Sequence, residues 1–236
     1  VYHYGYLNNV VNAKEKRARN IPILLKQLEQ NPDNSFNMFN LANEYMAQKR
    51  IDEALSLYMK AYEKADKNQS FTPHLYFRII ACLYDLNKFE QAVKTADEGL
   101  HIYPKCTDFE FYKGLIYYRK NLHLMAVETF NRCLEMGEPP TELRFINGCG
   151  NVRPLLCLGE IYYANQCYQK SAEYFIKALN ADNANISILY KIAQALNKST
   201  NNKSYVLKFI SSLFADITHH PNAIVLADIL IQQELY

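Results

Sequence analysis

The chain has 236 residues, and 26 Lys and Arg against 24 Asp and Glu leave a formal charge of +2. That balance excludes the domain-wide positive field on which nucleic-acid binding depends. A composition of 49% hydrophobic and 21% charged residues excludes a disordered chain, and only seven Gly and eight Pro favour helices over many-turned sandwiches or barrels.

The sequence opens with Val1-Tyr2-His3-Tyr4-Gly5-Tyr6-Leu7, followed by a basic cluster of Lys14, Lys16, Arg17 and Arg19. That cluster reads as the solvated start of a helix. Asn20–Gln30 reads as a helix because Ile21, Leu24, Leu25 and Leu28 fall on one face, and Asn31-Pro32-Asp33-Asn34 ends it and starts the next. Self-similarity then takes over. Leu41-Ala42-Asn43-Glu44-Tyr45 is followed by Ala54, Tyr58 and Ala61; Leu158-Gly159-Glu160-Ile161-Tyr162 is followed by Ser171, Phe175 and Ala178. The same offsets return as Gly114 and Tyr117 with Ala126, Phe130 and Cys133. A more worn copy has Ile79, Ile80 and Leu83 with Ala92, Ala96 and Gly99, closing at Pro104. Small residues recur where two helices approach closely, and large ones, Tyr45 and Phe175 among them, recur where a knob fills the gap.

This pattern resembles the tetratricopeptide repeat (TPR), a helix–turn–helix of about 34 residues. The resemblance covers residues 35–184 and implies an all-α fold, an α-solenoid of repeats with degenerate capping helices. The family's frequent early Trp is replaced by Met38, Tyr76 and Glu110. Copies begin near Ser35, Pro73, Thr107 and Val152, at intervals of 38, 34 and 45 residues. The first excess fits a longer turn around Asn68–Thr72. The second places an insertion at 137–153, where Pro139-Pro140 and Gly148-Cys149-Gly150 preclude a continuous helix. The expected domains are a junction over 1–19, a TPR array of a half repeat plus four repeats over 20–184, and a degenerate repeat with a capping helix over 185–236. Within the last segment, Ile186–Asn197 and Ser204–Ile217 form a fifth pair, His219-His220-Pro221 breaks the chain, and Asn222 caps a last helix through Glu234.

First helices of TPR units line the array's inner surface. One position on them reads Met46, Tyr84, Tyr118 and Tyr163, an amphipathic ladder suited to an extended peptide or a sugar-bearing segment. Packing of each ring against the next helix is the other reading of the same residues. Neighbouring positions supply Asn40, Asn43, Phe77, Arg78, Asp85, Tyr112, Arg119 and Glu160. The candidate groove is therefore Asn43, Met46, Phe77, Arg78, Tyr84, Tyr112, Tyr118, Arg119, Glu160 and Tyr163. Adaptors that grip chaperone C-termini pair a Lys with an Asn on the first inner helix; Asn43 is present here, but Phe39 stands in place of the Lys. No catalytic constellation emerges. None of His3, His74, His101, His123, His219 and His220 has a partner at metal-ligand spacing, and Asn147-Gly148-Cys149-Gly150 is too short for a phosphate loop. Asp52, Glu53 and Glu90 fall on solvated helix faces, and the fragment is expected to carry no metal or cofactor.

The opening residues, the stretch from Arg19 to Asn34, and the later Gly137-Glu138-Pro139-Pro140 with Gly148-Cys149-Gly150 resemble bacterial, Firmicutes-type family 2 glycosyltransferases, in which a catalytic domain leads directly into TPRs. That group includes bacteriocin S-glycosyltransferases. The resemblance implies an upstream nucleotide-binding α/β domain with an acidic metal motif, to which the nucleotide sugar and divalent metal would belong, and to which His3 would relate. This chain would then be a non-catalytic interaction domain that binds an acceptor polypeptide or pairs subunits. A first residue other than Met suggests that Val1 lies inside a larger protein. The alternative is a free-standing TPR adaptor or peptide-responsive regulator.

The last helix presents Ile224, Val225, Leu226, Ile229, Leu230 and Ile231, which either fold back on the array or meet a second chain in a homodimer. The apolar run Ala223–Ile231 is interrupted by Asp228 and too short to span a bilayer. No CxxC occurs among Cys82, Cys106, Cys133, Cys149, Cys157 and Cys167, and reduced thiols in a cytoplasmic protein are expected. Labelling of the denatured, unreduced chain should count six thiols; a count of four would establish a disulfide.

Overall fold

The computed structural model describes residues 19–182, 185–200, 202–213 and 220–233. Expectations resting on His3, Lys14, Lys16, Arg17, His219 and Glu234 lie outside these residues. Helices and turns make up the described chain, with no strand among the described residues. After a helix over residues 19–30 (α1) come α2 (Ser35–Ala47), α3 (Ile51–Lys64), α4 (Thr72–Asp85), α5 (Phe89–Ile102), α6 (Thr107–Arg119), α7 (His123–Met136), a 3-10 turn at Thr141–Leu143, α8 (Val152–Ala164), α9 (Tyr168–Ala181), α10 (Ser187–Thr200), α11 (Lys203–Ser212) and α12 (His220–Gln232). The chain divides within α6 into two compact units, one ending at Tyr112 and the other beginning at Lys113.

In unit 1 each helix packs on its successor from α2 to α5. Asn34 caps α2, its Oδ1 accepting from the Asn37 N–H at 2.9 Å. Asn20 Nδ2 donates to Glu44 Oε1 at 2.8 Å and ties α1 to α2. Leu25, expected on the packed face of α1, is 42% exposed instead. The long connection after α3 is held by Thr72, whose hydroxyl donates to the Asp66 carbonyl at 2.8 Å, and by Phe71, which packs on Phe36 and Phe39.

Helix spacing within each hairpin follows from a large side chain facing a small one, sixteen positions apart. A Cβ on Gly114 would lie 2.5 Å from the Phe130 ring, and one on Gly159 would lie 2.4 Å from Phe175. The first copy has Ala42 and Tyr58 at these positions, both fully buried. The worn copy exchanges the roles: Ile80 on its first helix and Ala96 on its second are both fully buried. Tyr45 departs from its expected place in the core. Its ring is half-exposed under the Arg50 guanidinium, 4.0 Å from the ring centroid, and Tyr58 is the buried knob of that copy.

The turns inside the four hairpins share one backbone geometry. Lys49, Asn87, Asn121 and Gln166 occupy the left-handed region, at φ of 62°, 57°, 57° and 60°. Each following N–H donates back to a carbonyl five residues earlier: Arg50 to Tyr45, Lys88 to Leu83, Leu122 to Tyr117 and Cys167 to Tyr162, at 2.8 to 3.0 Å. This closes the first helix as a Schellman-type end. The cap positions of the second helices are Arg50, Lys88, Leu122 and Cys167, and none makes a side-chain cap hydrogen bond.

In unit 2 the segment from Gly137 to Asn151 is a tightly bonded loop. The Glu138 carboxylate accepts from the N–H of Gly150 at 3.1 Å and of Gly148 at 3.4 Å, and Arg144 donates to the Pro139 carbonyl at 2.9 Å. Gly150 presses on the backbone of Gly137, where a Cβ would come within 2.0 Å of its carbonyl oxygen. α12 folds back on α10 and α11, burying Ile229 completely, with Val225, Leu226 and Leu230 packed around it. Asp228 interrupts the apolar run because it accepts from the Tyr190 hydroxyl at 2.6 Å. Asn222 lies inside the first turn of this helix and is not its cap, since Pro221 is accommodated in that turn, where no backbone donor is required.

Gly159→Ala should destabilise unit 2 by about 1–3 kcal/mol through overpacking, and Phe175→Leu in the same chain should recover part of that loss, both read by thermal melting. Gln166→Gly should stabilise by about 0.5–1 kcal/mol, the roughly 1–2 kcal/mol cost of an L side chain in the left-handed region less the roughly 0.5–1 kcal/mol of extra backbone entropy that Gly loses, and should raise the melting temperature by about 1–4 °C.

Candidate partner-binding faces

Each unit carries its own part of the expected groove. In unit 1 the residues are Asn43 and Met46 on α2, Phe77, Arg78 and Tyr84 on α4, and Tyr112 on α6; in unit 2 they are Tyr118 and Arg119 on α6 with Glu160 and Tyr163 on α8. None of the ten is buried; Arg78 and Arg119 are exposed and the others half-buried.

Unit 1 joins three of them. The Tyr112 ring receives Phe77 at 5.7 Å and Tyr84 at 5.6 Å, both edge to face, and Tyr84 also leans on Phe89 at 6.2 Å. The quadrupoles of these rings favour such T-shaped contacts. The Arg78 guanidinium lies 6.0 Å from the Phe77 ring centroid and forms no ion pair among the described residues. Asn43 is oriented from the core: its Oδ1 accepts from the Tyr58 hydroxyl at 2.7 Å, which turns its amide NH2 away from that contact. Burial holds the Tyr58 hydroxyl well above the ordinary tyrosine range, so it is a permanent donor. The Met46 sulfur accepts from the Cys82 thiol at 3.3 Å, and burial pushes that thiol up to about 12. Phe39, at the position where a clamp Lys would stand, is core: it packs on Tyr58 and Phe71.

Unit 2 gathers its residues by charge. Burial and then the Glu160 carboxylate raise the pKa of Tyr118; burial, Tyr168 and Glu160 raise that of Tyr163. Glu160 itself is ion-paired with Lys191 of α10, both about two-fifths exposed. Cys157, on the same helix, is pushed up to about 12 by burial and is no nucleophile at neutral pH.

The three ladder tyrosines share a contact that the sequence reading missed. Tyr84 packs on Phe89, Tyr118 on His123 and Tyr163 on Tyr168, with centroids 5.2 to 6.2 Å apart. Each partner is the first residue of the second helix in the same hairpin. The signal was present as an aromatic or His five positions after each ladder tyrosine. Packing and exposure are thus combined in one residue: an edge is held by the hairpin while the ring remains half open.

Among the described residues no group of three or more His, Cys, Asp and Glu is placed to hold a metal, and no helix is long and apolar enough to cross a membrane. A family model described as Iml2/tetratricopeptide repeat protein 39 matches residues 1–107. The TPR repeat-containing protein MJ1428 of Methanocaldococcus jannaschii is 27% identical over 151 residues; the match covers 64% of this chain and 24% of that protein, so the chain spans about a quarter of this curated relative. Among solved structures, the C-terminal part of a TPR repeat-containing protein from Cytophaga hutchinsonii is similar over 95% of this chain and 83% of its own, with 15% identity and a TM-score of 0.69. MamA is similar over 73% and 92% of the two chains, with 17% identity and a TM-score of 0.60. YrrB, described as a TPR protein with an unusual peptide-binding site, is similar over 87% and 96%, with 14% identity and a TM-score of 0.56. None of these descriptions mentions a glycosyltransferase. The recurring offsets, the four matching turns and these likenesses agree on the fold: the described residues form an all-α series of helix hairpins of the tetratricopeptide repeat kind.

Proposed function

We propose that this domain is a protein-interaction module that holds an extended polypeptide against its first-helix faces. The observation that carries this reading is the half-open aromatic surface of those faces, above all the Phe77–Tyr112–Tyr84 cluster with the exposed Arg78 guanidinium beside it. Aromatic rings held by one edge supply contact area at low entropic cost, and the adjacent Asn43 amide and Arg78 guanidinium are donors for backbone carbonyls and acidic groups of a bound chain. The peptide-binding description of the structurally similar YrrB supports the same class of partner.

A finer version places the domain behind a family 2 glycosyltransferase of a bacterium, in the cytoplasm, with the acceptor polypeptide as its ligand. Its support is the opening His3-Tyr4-Gly5-Tyr6 segment and the Gly137–Pro140 and Gly148–Gly150 motifs. An Asp-x-Asp-bearing α/β domain upstream of Val1 in the full-length sequence would sustain it, and a different upstream domain would remove it.

The interaction reading is tested with a peptide selected from a random library on the wild-type chain. Tyr112→Ala and Tyr118→Ala should each be measured by titration with that peptide and by thermal melting. Loss of about 1–3 kcal/mol of binding from at least one of them, with a smaller change in stability, is the expected outcome. Large melting losses with unchanged affinity would show that the rings serve packing alone.

A further inference from the structure

α12 is apolar on both of its sides. Its inner side packs on α10 and α11: Ile229 is fully buried, and Val225, Leu226 and Leu230 lie against the same core. From Ala223 to Gln233 the one charged residue is Asp228, and its carboxylate is turned to the Tyr190 hydroxyl of α10 at 2.6 Å. Gln232 is drawn to the same carboxylate, its Nε2 donating at 3.0 Å. The outer side keeps no charge of its own. It presents Ala223, Ile224, Ala227 and Ile231, all exposed, with Ile224 at 55% and Ile231 at 66%. A surface helix ordinarily sets a charged face opposite its buried stripe, and a helix that is apolar all round is one with neighbours on both sides.

The spacing of these residues selects the neighbour. At about 100° per residue the outer face is centred on Ala227, with Ala223 and Ile231 about 40° to either side and Ile224 and Leu230 about 60° to either side. The positions are symmetric about Ala227. A second α12 laid antiparallel across a two-fold axis at Ala227 sets that residue against the partner's Ala227, Ile231 against the partner's Ala223, and Ile224 against the partner's Leu230. Large meets small toward both ends and small meets small at the centre, so the helices can approach closely, as they do where Phe175 meets Gly159. Antiparallel placement also opposes the two helix dipoles. Self-complementarity under a two-fold rotation is the requirement of an isologous contact.

We propose that α12 joins two copies of this chain as an antiparallel helix pair about a two-fold axis at Ala227, through Ala223, Ile224, Ala227, Leu230 and Ile231. A helix of 13 residues is about 20 Å long and about 10 Å wide, so the pair falls short of the roughly 800 Å² per partner of a standard interface. The dimer is accordingly weak and reversible. A charged peptide would find no counter-charge on this face, whereas a second copy brings the same uncharged surface to it. The contact does not depend on the polypeptide reading of the first-helix faces.

Sedimentation equilibrium of the 236-residue chain from about 5 to about 500 µM tests the proposal, with monomer expected at the low end and mostly dimer at the high end, as for an interface of the smaller class. Ala227→Glu sets two like charges at the axis and should weaken association at least about tenfold. Its melting temperature should stay near wild type, because Ala227 is exposed. Disulfide trapping reads the register. On a Cys167→Ser background, which removes the exposed native thiol, Ala227→Cys should cross-link to its own copy on oxidation. Ile224→Cys should not, since the two copies of that position lie about 9 Å apart along the pair, beyond disulfide reach. A chain that stays monomeric at the highest concentration overturns the proposal, as does a dimer that tolerates Ala227→Glu or cross-links equally well through Ile224→Cys. Protection of Ile231→Cys from a maleimide in a monomeric chain would show that another part of the same chain covers this face, and it overturns the proposal too.

Discussion

The contact between one large and one small side chain inside each hairpin is the constraint on which the rest of this structure depends. Gly114 under Phe130 and Gly159 under Phe175 leave no room for a Cβ. The helices therefore approach until ring meets backbone, and their separation is set by the thickness of the ring. A densely packed interior transmits such a distance to its neighbours. The buried Ala54, Ala61, Ala126 and Ala178 on the second helices keep the same close spacing. In the worn copy the same register carries Ile80 on the first helix and Ala96 on the second, both fully buried, so the larger residue stands on the other helix.

Close approach demands a turn that reverses the chain in very few residues. The left-handed residue at Lys49, Asn87, Asn121 and Gln166 accomplishes this, and it returns the last carbonyls of the first helix to hydrogen-bonded partners. Asn is the residue besides Gly that most readily takes this conformation; Lys and Gln take it because the packed hairpin over-determines the backbone. The same turn places Phe89, His123 and Tyr168 against the ladder tyrosines, so the ring orientation on the exposed face is a consequence of how the hairpin closes.

Those rings illustrate how a repeat fold makes a surface without giving up packing. Tyr84, Tyr118 and Tyr163 each have an anchored edge and an open face. Asn43 is similarly held by Tyr58 from within the core. Side chains positioned in this way lose little freedom on contact with a partner, which is the property that distinguishes an interface anchor from a merely exposed residue. On the second-helix side of unit 1, Met59 is 40% exposed beside the polar α5 residues Gln91, Lys94 and Thr95.

The repeating offsets of small and large residues were legible in the sequence, because helix-on-helix packing imposes them wherever it occurs; they determined the all-α hairpin architecture and put the ladder residues on first helices. The insertion could be read as non-helical from Pro139-Pro140 and Gly148-Cys149-Gly150, but nothing local showed that Glu138 would close it through two glycine N–H groups. Hairpin turns carried no Gly and no capping side chain, so their left-handed residues were invisible to propensity. Tyr45 and Tyr58 occupy helix positions of equal promise in the sequence, and only the packed structure buried one and left the other under Arg50. Asp228 read as an interruption until Tyr190 was brought to it from a different helix. Local periodicity is written into the chain because every repeat must bury the same face. Which side chain fills a particular gap, and which polar group answers another, was decided by tertiary structure, since those partners are distant in sequence and meet only when the helices pack.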